Sequence, residues 1–434
     1  MRRSTYFGFL LLILGFSVYS LKGQDLQQVV QLALRKNKTV LAQMQQVKMT
    51  DFQAKAIWRR SLPQLNFESS YRHVTHVPEI EFPMLFGKKV SPIHLGSYDT
   101  YENSLMVSYT LFSGFALQSQ IHLMAQQARL QKINLEKIRK EIAFKTVLAY
   151  RNVQRYQLEL ESLQAGIKRI NEQLARVSSL IRQGMALALD SLSLTLAKLK
   201  LEQKQIAVSG QLKNAQDELR HITGRAIRVS PFAAVKPAPL STRLLGEQSE
   251  TIKRIKQIER IKKTQLTLAQ SGYYPRVQLF ASYNYGRPGL DMIRNEWMDY
   301  GVWGVSLHWN LFSWSADRLN AQAAKAAIKE IQWQKEEAHE QLQNRFNAIV
   351  REWQTLRQEY QVLQSSLEVA KTKMHIIAAK YKQGMATVTD FNRANLELTE
   401  AELKVKSQLV LLILKQNQIE YFSGKPIKQW SIRQ

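Results

Sequence analysis

The stretch Arg182-Gln-Gly-Met-Ala-Leu-Ala-Leu-Asp190 returns two hundred residues later as Lys382-Gln-Gly-Met-Ala-Thr-Val-Thr-Asp390. Gln183, Gly184, Met185, Ala186 and Asp190 recur as Gln383, Gly384, Met385, Ala386 and Asp390. The same offset of 200 carries His221-Ile-Thr-Gly224 onto Tyr421-Phe-Ser-Gly424, and Leu111-Phe112-Ser113 onto Leu311-Phe312-Ser313. Upstream, Leu62-Pro63-Gln64-Leu65 parallels Tyr274-Pro275-Arg276-Val277 at an offset of 212, so the first copy is longer by 12 residues between these landmarks, in a loop. Separated matches at one offset define a duplicated unit. The first repeat is placed at 24–224 and the second at 247–424. A linker at 225–246 contains Pro231, Pro237 and Pro239, and a tail follows at 425–434.

On either side of the repeated stretch the sequence reads as helix. Proline is absent from Ile93 to Ser230 and from Gly289 to Lys425, which permits long helices. A seven-residue apolar row runs through Ile121, Ala128, Leu135, Ile142, Ala149, Tyr156, Leu163, Ile170 and Val177. In the second copy it runs through Ala321, Ile328, Leu342, Ile349, Leu356, Leu363, Ala370 and Ile377, interrupted by Lys335. Sustained heptads mean helices packed with coiled-coil geometry. Long helices are expected at about 113–183 and 313–383, each roughly 105 Å at ~1.5 Å per residue. Gly184 and Gly384 can adopt the left-handed conformation that ends a helix. Asp190 and Asp390 are placed to cap return helices at about 190–223 and 390–422. Each copy thus forms a helical hairpin with its tip at 184–190 or 384–390.

Before each long helix the period changes to two. Strands are expected at about 63–74, 100–112, 275–286 and 300–312. Leu65, Phe67 and Tyr71 alternate with polar residues, as do Leu105, Val107, Tyr109 and Leu111. The second copy repeats this with Val277, Leu279, Tyr283 and Tyr285, then Trp303, Val305, Leu307, Trp309 and Leu311. One aromatic-rich apolar face and one polar face suit a transmembrane barrel; a soluble sheet with one buried face is the competing reading. Four strands cannot close a barrel, and an open edge in lipid leaves backbone groups unpaired. Two copies would give eight strands and a filled interior; three would give twelve and a passage. The fold class is therefore mainly α with a small β part: a duplicated helix–strand–strand–helix unit forming a coiled-coil barrel and a transmembrane β-barrel completed by trimerisation.

Composition narrows the function. The chain contains no cysteine, so disulfides, thiolate metal sites and a cysteine nucleophile are excluded. Arg2 and Arg3 precede a short apolar run from Phe7 to Val18, with small residues at Ser20 and Gly23. This reads as a signal peptide at 1–23, cleaved near Gly23–Gln24. The net charge is +26; residues 1–23 contribute Arg2, Arg3 and Lys22 and no acids, leaving +23. The bases are dispersed, and together with export this argues against nucleic acid as a partner. His73, His76, Glu79, Glu81 and His94 fall in the loop between the first two strands, where an exposed polar loop is a better reading than a metal site. No catalytic motif, phosphate loop or nucleophile elbow is present, so no enzyme activity and no cofactor is expected.

These features resemble the TolC-like outer-membrane efflux protein family over nearly the whole mature chain. The resemblance rests on Asp25-Leu-Gln-Gln-Val-Val-Gln-Leu-Ala-Leu-Arg-Lys-Asn37, Leu62-Pro63, Leu111-Phe112-Ser113-Gly114 and the two tip motifs. It implies a homotrimer in the outer membrane with a large periplasmic part. Substrates would pass from an inner-membrane transporter through a periplasmic adaptor into the tunnel, in tripartite efflux or type I secretion. It also implies adaptor docking at Gln183, Gly184, Met185, Gln383, Gly384 and Met385, and a gate at Asp190 and Asp390. Relatives often carry an acid three positions beyond the second tip aspartate; here that position is Arg393. The alternative is a soluble periplasmic coiled-coil interaction or adaptor protein, which accounts for the heptads but not for the aromatic strand pairs.

Overall fold

The computed structural model of the chain describes residues 23–80, 92–233, 246, 249–291 and 293–431. All of the expected signal segment except Gly23, residues 234–245 of the expected linker, and Glu81 lie outside the described residues.

Two helices of 67 residues dominate, α3 (Ala116–Arg182) and α6 (Ala316–Lys382). Each is about 100 Å long at ~1.5 Å per residue. They turn back into α4 (Ala188–Thr223) and α7 (Val388–Phe422). Shorter helices precede the strands: α1 (Leu26–Lys36) and α2 (Lys38–Arg59) in the first copy, α5 (Glu250–Gln270) in the second. The strands are β1 (Gln64–His73), β4 (Asp99–Phe112), β5 (Arg276–Arg287) and β6 (Met298–His308). The offset between copies changes from 212 to 200 within the strand–strand connections. The connection of the first copy also holds a small hairpin, β2 (Glu79–Ile80) with β3 (Ile93–His94), which has no counterpart among the described residues.

Position in the bundle explains why the heptad row is buried unequally. α3 packs against α1, α2, α4, α5 and α7, whereas α6 packs chiefly against α5 and α7. Leu163, Ile170 and Val177 of α3 are fully buried, and every member of that row is at least partly covered. In α6 the row is mostly half-exposed, with Ala321 and Ile349 buried. The upper core gathers around Tyr150 with Leu26, Val29, Ala33, Val147 and Leu219; the lower core joins Leu163, Ile170 and Val177 to Leu194, Phe391 and Leu398. Each large apolar side chain buried in this way stabilises by about 1.5–3 kcal/mol. The Tyr150 hydroxyl donates to the Gln24 carbonyl at 2.8 Å and accepts from the Ser230 N–H at 3.1 Å, which offsets the cost of burying it. The tail also belongs to this core: Trp430 is buried, and the Ser431 N–H donates to the Glu420 carboxylate at 2.9 Å.

The step from sheet to helix uses left-handed backbone twice. Gly114 and Phe115 have φ of 62° and 68°; Trp314 and Ser315 have φ of 50° and 64°. A Cβ at Gly114 would lie 2.8 Å from the Ser271 carbonyl oxygen, so that position needs glycine for space as well as conformation. Trp314 adopts the same conformation with a side chain, at a steric cost.

Candidate functional site: barrel wall and helical tips

The four strands form one antiparallel sheet in the order β1-β4-β5-β6, so β4 and β5 join the two copies and β1 and β6 are the edges. Register places Phe67 opposite Leu105, Leu105 opposite Tyr283, Leu279 opposite Val305 and Ala281 opposite Trp303, all on one face. Gln64, Asn66, Glu68, Ser104, Ser108, Gln278, Ser282 and Ser306 lie on the other. No helix packs on either face among the described residues. Phe67 is 70% exposed and Trp303 83%. The expected apolar face is present but the protein does not bury it, which removes the soluble-sheet reading. The 12 residues of β5 span about 40 Å along the strand, or about 30 Å in height at the tilt usual in barrels. That height matches a bilayer's hydrocarbon core. No described helix is long and apolar enough to cross a membrane.

Aromatic rings mark both ends of the wall. Tyr71 and Tyr101 lie 5.0 Å apart between ring centroids, and Tyr285 stacks on Trp297 at 5.0 Å. At the helical end, Phe115 contacts Phe112 and Tyr274, each at 5.4 Å, and Phe312 contacts Trp314 at 5.0 Å. Paired girdles of this kind sit at membrane–water interfaces. β6 stops at His308, four residues before the expected end at 312. His308 pairs with Arg276, the first residue of β5, so Trp309 to Phe312 have no partner on that strand. His73, expected in the loop, is the last residue of β1 and faces Asp99, the first of β4, at 2.8 Å, while in the connecting hairpin His94 faces Glu79 at 3.1 Å. These are two separate pairs, and no group of three or more potential metal ligands occurs among the described residues.

At the opposite end, the two tips are built alike. The Met185 N–H donates to the Leu180 carbonyl at 2.9 Å and the Gly184 N–H to that of Ile181 at 2.9 Å. Met385 and Gly384 repeat this with Lys380 and Tyr381, at 2.9 and 3.1 Å. This is the Schellman termination, and Gly184 and Gly384 supply its left-handed residue at φ of 73° and 75°. A Cβ on either glycine would meet nothing within 4 Å, so conformation alone explains their presence. Gln183 and Gln383 end the helices, and Met185 and Met385 are largely exposed.

The return helices start at 188 and 388, two residues earlier than expected. Asp190 and Asp390 are therefore third residues of their helices, not the residues preceding them. At the second tip Thr387 and Asp390 form a reciprocal capping box. Hydrogen bonds from Thr387 hold the Asp390 carboxyl below the usual carboxylate range, and Arg393 adds to this. At the first tip Leu187 occupies the capping position and provides no side-chain cap. The tips lie side by side: Ala186 packs on the lower core that contains Val388 and Phe391, and Asp190 contributes to the field around Tyr381. Arg393 is exposed.

One polar cluster between α3 and α7 escapes the sequence reading. Arg169 donates from Nε to Asn395 at 2.6 Å and from Nη2 to Thr399 at 2.9 Å, and pairs with Glu402 at 3.5 Å. Gly166 lies beside it, where a Cβ would be 2.6 Å from the Thr399 hydroxyl. Gly166 in an otherwise side-chain-rich heptad helix was the visible sign of close helix contact.

A membrane-height sheet open at both edges, continuous with paired long helices, defines a subunit of an outer-membrane channel. The chain belongs to the outer membrane efflux protein family, whose model matches residues 29–225 and 247–412. The fold is that of solved TolC-like channels. The outer membrane protein VceC of Vibrio cholerae is 16% identical, with a TM-score of 0.73 over 92% of this chain and 96% of that one. The CmeC outer membrane channel of Campylobacter jejuni is 14% identical, with a TM-score of 0.75 over 94% and 88%. The open state of the MtrE outer membrane channel of Neisseria gonorrhoeae is 16% identical, with a TM-score of 0.73 over 93% and 90%. No curated protein matches by sequence.

Proposed function

We propose that three copies of this chain assemble into a channel-tunnel in the outer membrane, passively conducting substrates delivered by a periplasmic adaptor and an inner-membrane transporter. The tunnel would serve tripartite efflux or type I secretion. The observation that carries this is a four-stranded sheet with two free edges on a helix bundle with two free flanks. α4 exposes Leu189, Leu192, Leu196 and Leu199 at alternating three- and four-residue spacings, with Ile206 a further seven residues on, and α6 exposes Val362, Val369 and Ile376 every seventh residue. Each is an unpartnered coiled-coil seam. A neighbour that pairs β6 against β1 also brings an α6 seam toward an α4 seam, and three such contacts give a twelve-stranded closed wall without an edge in lipid. The signal segment then delivers the chain across the inner membrane, and the helices extend into the periplasm.

Within this reading Gln183, Gly184 and Met185, with Gln383, Gly384 and Met385, form the surface on which the adaptor docks. Asp190, Asp390 and Arg393 border the gate. With Asp390 held in its capping box and Arg393 exposed, the second tip offers the entrance no free acidic ring. Because the chain contains no cysteine, single cysteines can be placed on the two seams. Outer-membrane fractions should contain a heat-labile trimer, linked between Leu196→Cys and Val369→Cys by a flexible bifunctional reagent, and conducting in planar bilayers. Recovery as a soluble monomer would overturn the assignment. Crosslinking from Met185→Cys or Met385→Cys to no periplasmic protein would overturn the docking surface alone.

A further inference from the structure

Four junctions join the sheet to the helices, and charge is confined to two of them. Residues 113–128, from β4 into α3, and 264–275, from α5 to β5, contain no Asp, Glu, Lys or Arg. These are the inner junctions, since β4 and β5 lie in the middle of the sheet. The edge junctions read Lys55-Ala-Ile-Trp-Arg-Arg-Ser-Leu62 before β1 and Trp309-Asn-Leu-Phe-Ser-Trp-Ser-Ala-Asp-Arg-Leu319 after β6. Four bases stand there against one acid. Arg59, Arg60 and Arg318 are exposed and have no ion-pair partner among the described residues. Asp317 is engaged locally: its carboxylate accepts from the Ser313 hydroxyl at 2.6 Å and sits against Gly272. The next acid down α2, Asp51, pairs with Lys132 at 3.1 Å.

Closing the barrel by pairing β6 of one copy with β1 of the next brings the two edge junctions together, at three boundaries in a trimer. Arg59 and Arg60 of one copy then meet Arg318 of its neighbour. Like charges gathered in this way repel unless an anion joins them, and the chain supplies no free carboxylate at that height. The height is that of the lipid headgroups. Trp314 belongs to the inner aromatic girdle, Arg318 lies one helical turn below it, and Arg60 lies four residues before β1. The headgroup layer occupies the first ~5–8 Å beyond the hydrocarbon.

We propose that each subunit boundary binds an anionic phospholipid from the leaflet that meets the helices. The guanidinium groups of Arg59, Arg60 and the neighbour's Arg318 take its phosphate, a group their planar fork of donors fits. Trp58 and Trp314, both exposed, lie against its glycerol and first acyl carbons. A soluble anion would leave these two rings and the exposed Leu62 and Leu319 in water, whereas a lipid covers them and continues along the apolar face of the barrel. A zwitterionic headgroup brings an ammonium with its phosphate and neutralises less of the surplus charge, so the site prefers a lipid with net negative charge.

The lipid site rests on the trimer reading, and one titration separates the two. The full-length assembly, purified in detergent, is titrated with phosphatidylglycerol or phosphatidylethanolamine and followed by native mass spectrometry. A trimer should retain up to three phosphatidylglycerols in preference to phosphatidylethanolamine, and the preference should fall as ammonium acetate is raised. A trimer that retains the two lipids equally would overturn the lipid site and leave the channel standing; a monomer would overturn both. Arg59→Gln, Arg60→Gln and Arg318→Gln should each weaken phosphatidylglycerol binding about fivefold, while Lys329→Gln, three turns further down α6, should leave it unchanged. Trimeric arginine variants with full affinity would overturn the site, as would a Lys329→Gln loss equal to theirs. Displacement of the lipid by equimolar inorganic phosphate would overturn the lipid as its occupant. Where an arginine variant fails to assemble, the lipid preference of the unaltered trimer decides.

Discussion

Lys335, the one charged residue in the α6 heptad row, sets its Nζ 3.2 Å from the Glu259 carboxylate of α5. Glu259 also holds Lys263, one turn along its own helix, at 2.7 Å. A break in an apolar pattern is thus an ion pair between helices, at the position where the first copy has Leu135. It fixes the register of α5 on α6, a role that polar residues at core heptad positions are known to play.

The two partners are not equivalent. Removing Lys335 leaves Glu259 paired with Lys263, and a Met there continues the apolar row, so Lys335→Met should cost about 1 kcal/mol or less. Glu259→Gln leaves a half-buried Lys335 without its carboxylate and should cost more. Lys263 first, and Lys335 after it, hold the Glu259 carboxyl below the ordinary range. A carboxyl depressed in the folded state contributes stability that is present above its unfolded value, about 4.3, and is lost as pH falls through the folded value. Thermal unfolding followed by circular dichroism should therefore show a Glu259→Gln defect at neutral pH that shrinks below about pH 4. A pH-independent defect would argue against the ion pair.

The tips invite a comparison within one molecule. Thr387 and Asp390 cap α7, while Leu187 leaves α4 uncapped. Thr387→Val should destabilise the second tip by about 0.5–2 kcal/mol. Leu187→Thr should complete the same box with Asp190 and stabilise the first tip by a similar amount. Amide exchange at 188–191 and 388–391 would read both. The benefit of the second box should fade in acid as Asp390 is protonated, since its carboxyl is depressed in the fold.

Gly166 tests how closely α3 and α7 must approach. Alanine is the better helix former by about 1 kcal/mol, yet its Cβ would lie 2.6 Å from the hydroxyl of Thr399, which is fully buried. Overpacking should win, with Gly166→Ala destabilising by about 1–3 kcal/mol. Adding Thr399→Ala should recover most of the loss, because Arg169 keeps Asn395 and Glu402. A double variant no better than Gly166→Ala would place the strain elsewhere.

Much of this architecture was legible because it repeats. Heptads, paired glycines and alternating strands each impose a period, and a duplicated period is hard to misread. Features without a period were not legible. The docking of Trp430, the β2–β3 hairpin and the contacts of Arg169 depend on segments far apart in sequence, and one arginine among many gives no signal. The end of β6 was set by where β5 begins, a fact of pairing and not of the apolar pattern that continues through Trp309 and Leu311. Asp190 illustrates the limit at the tip. Its match to Asp390 was visible, but the missing cap depends on Leu187 standing where the second copy has Thr387.

The two faces of the sheet make opposite demands, and adjacent register pairs can separate them. Trp303 pairs with Ala281 and Val302 with Ser282, near the middle of β5, so Trp303 and Ser282 lie at one height on opposite faces. An arginine on the lipid face at mid-height costs about 2–4 kcal/mol, whereas a lumen face is already wet. Trp303→Arg should sharply reduce recovery of assembled protein from outer membranes. Ser282→Arg should assemble normally and shift ion selectivity in planar bilayers toward anions, because a charge on the passage wall acts on permeating ions. The reverse pattern, with Trp303→Arg assembling and Ser282→Arg failing, would mean that the aromatic face looks inward. Loss of assembly in both would mean that neither face is lined by water.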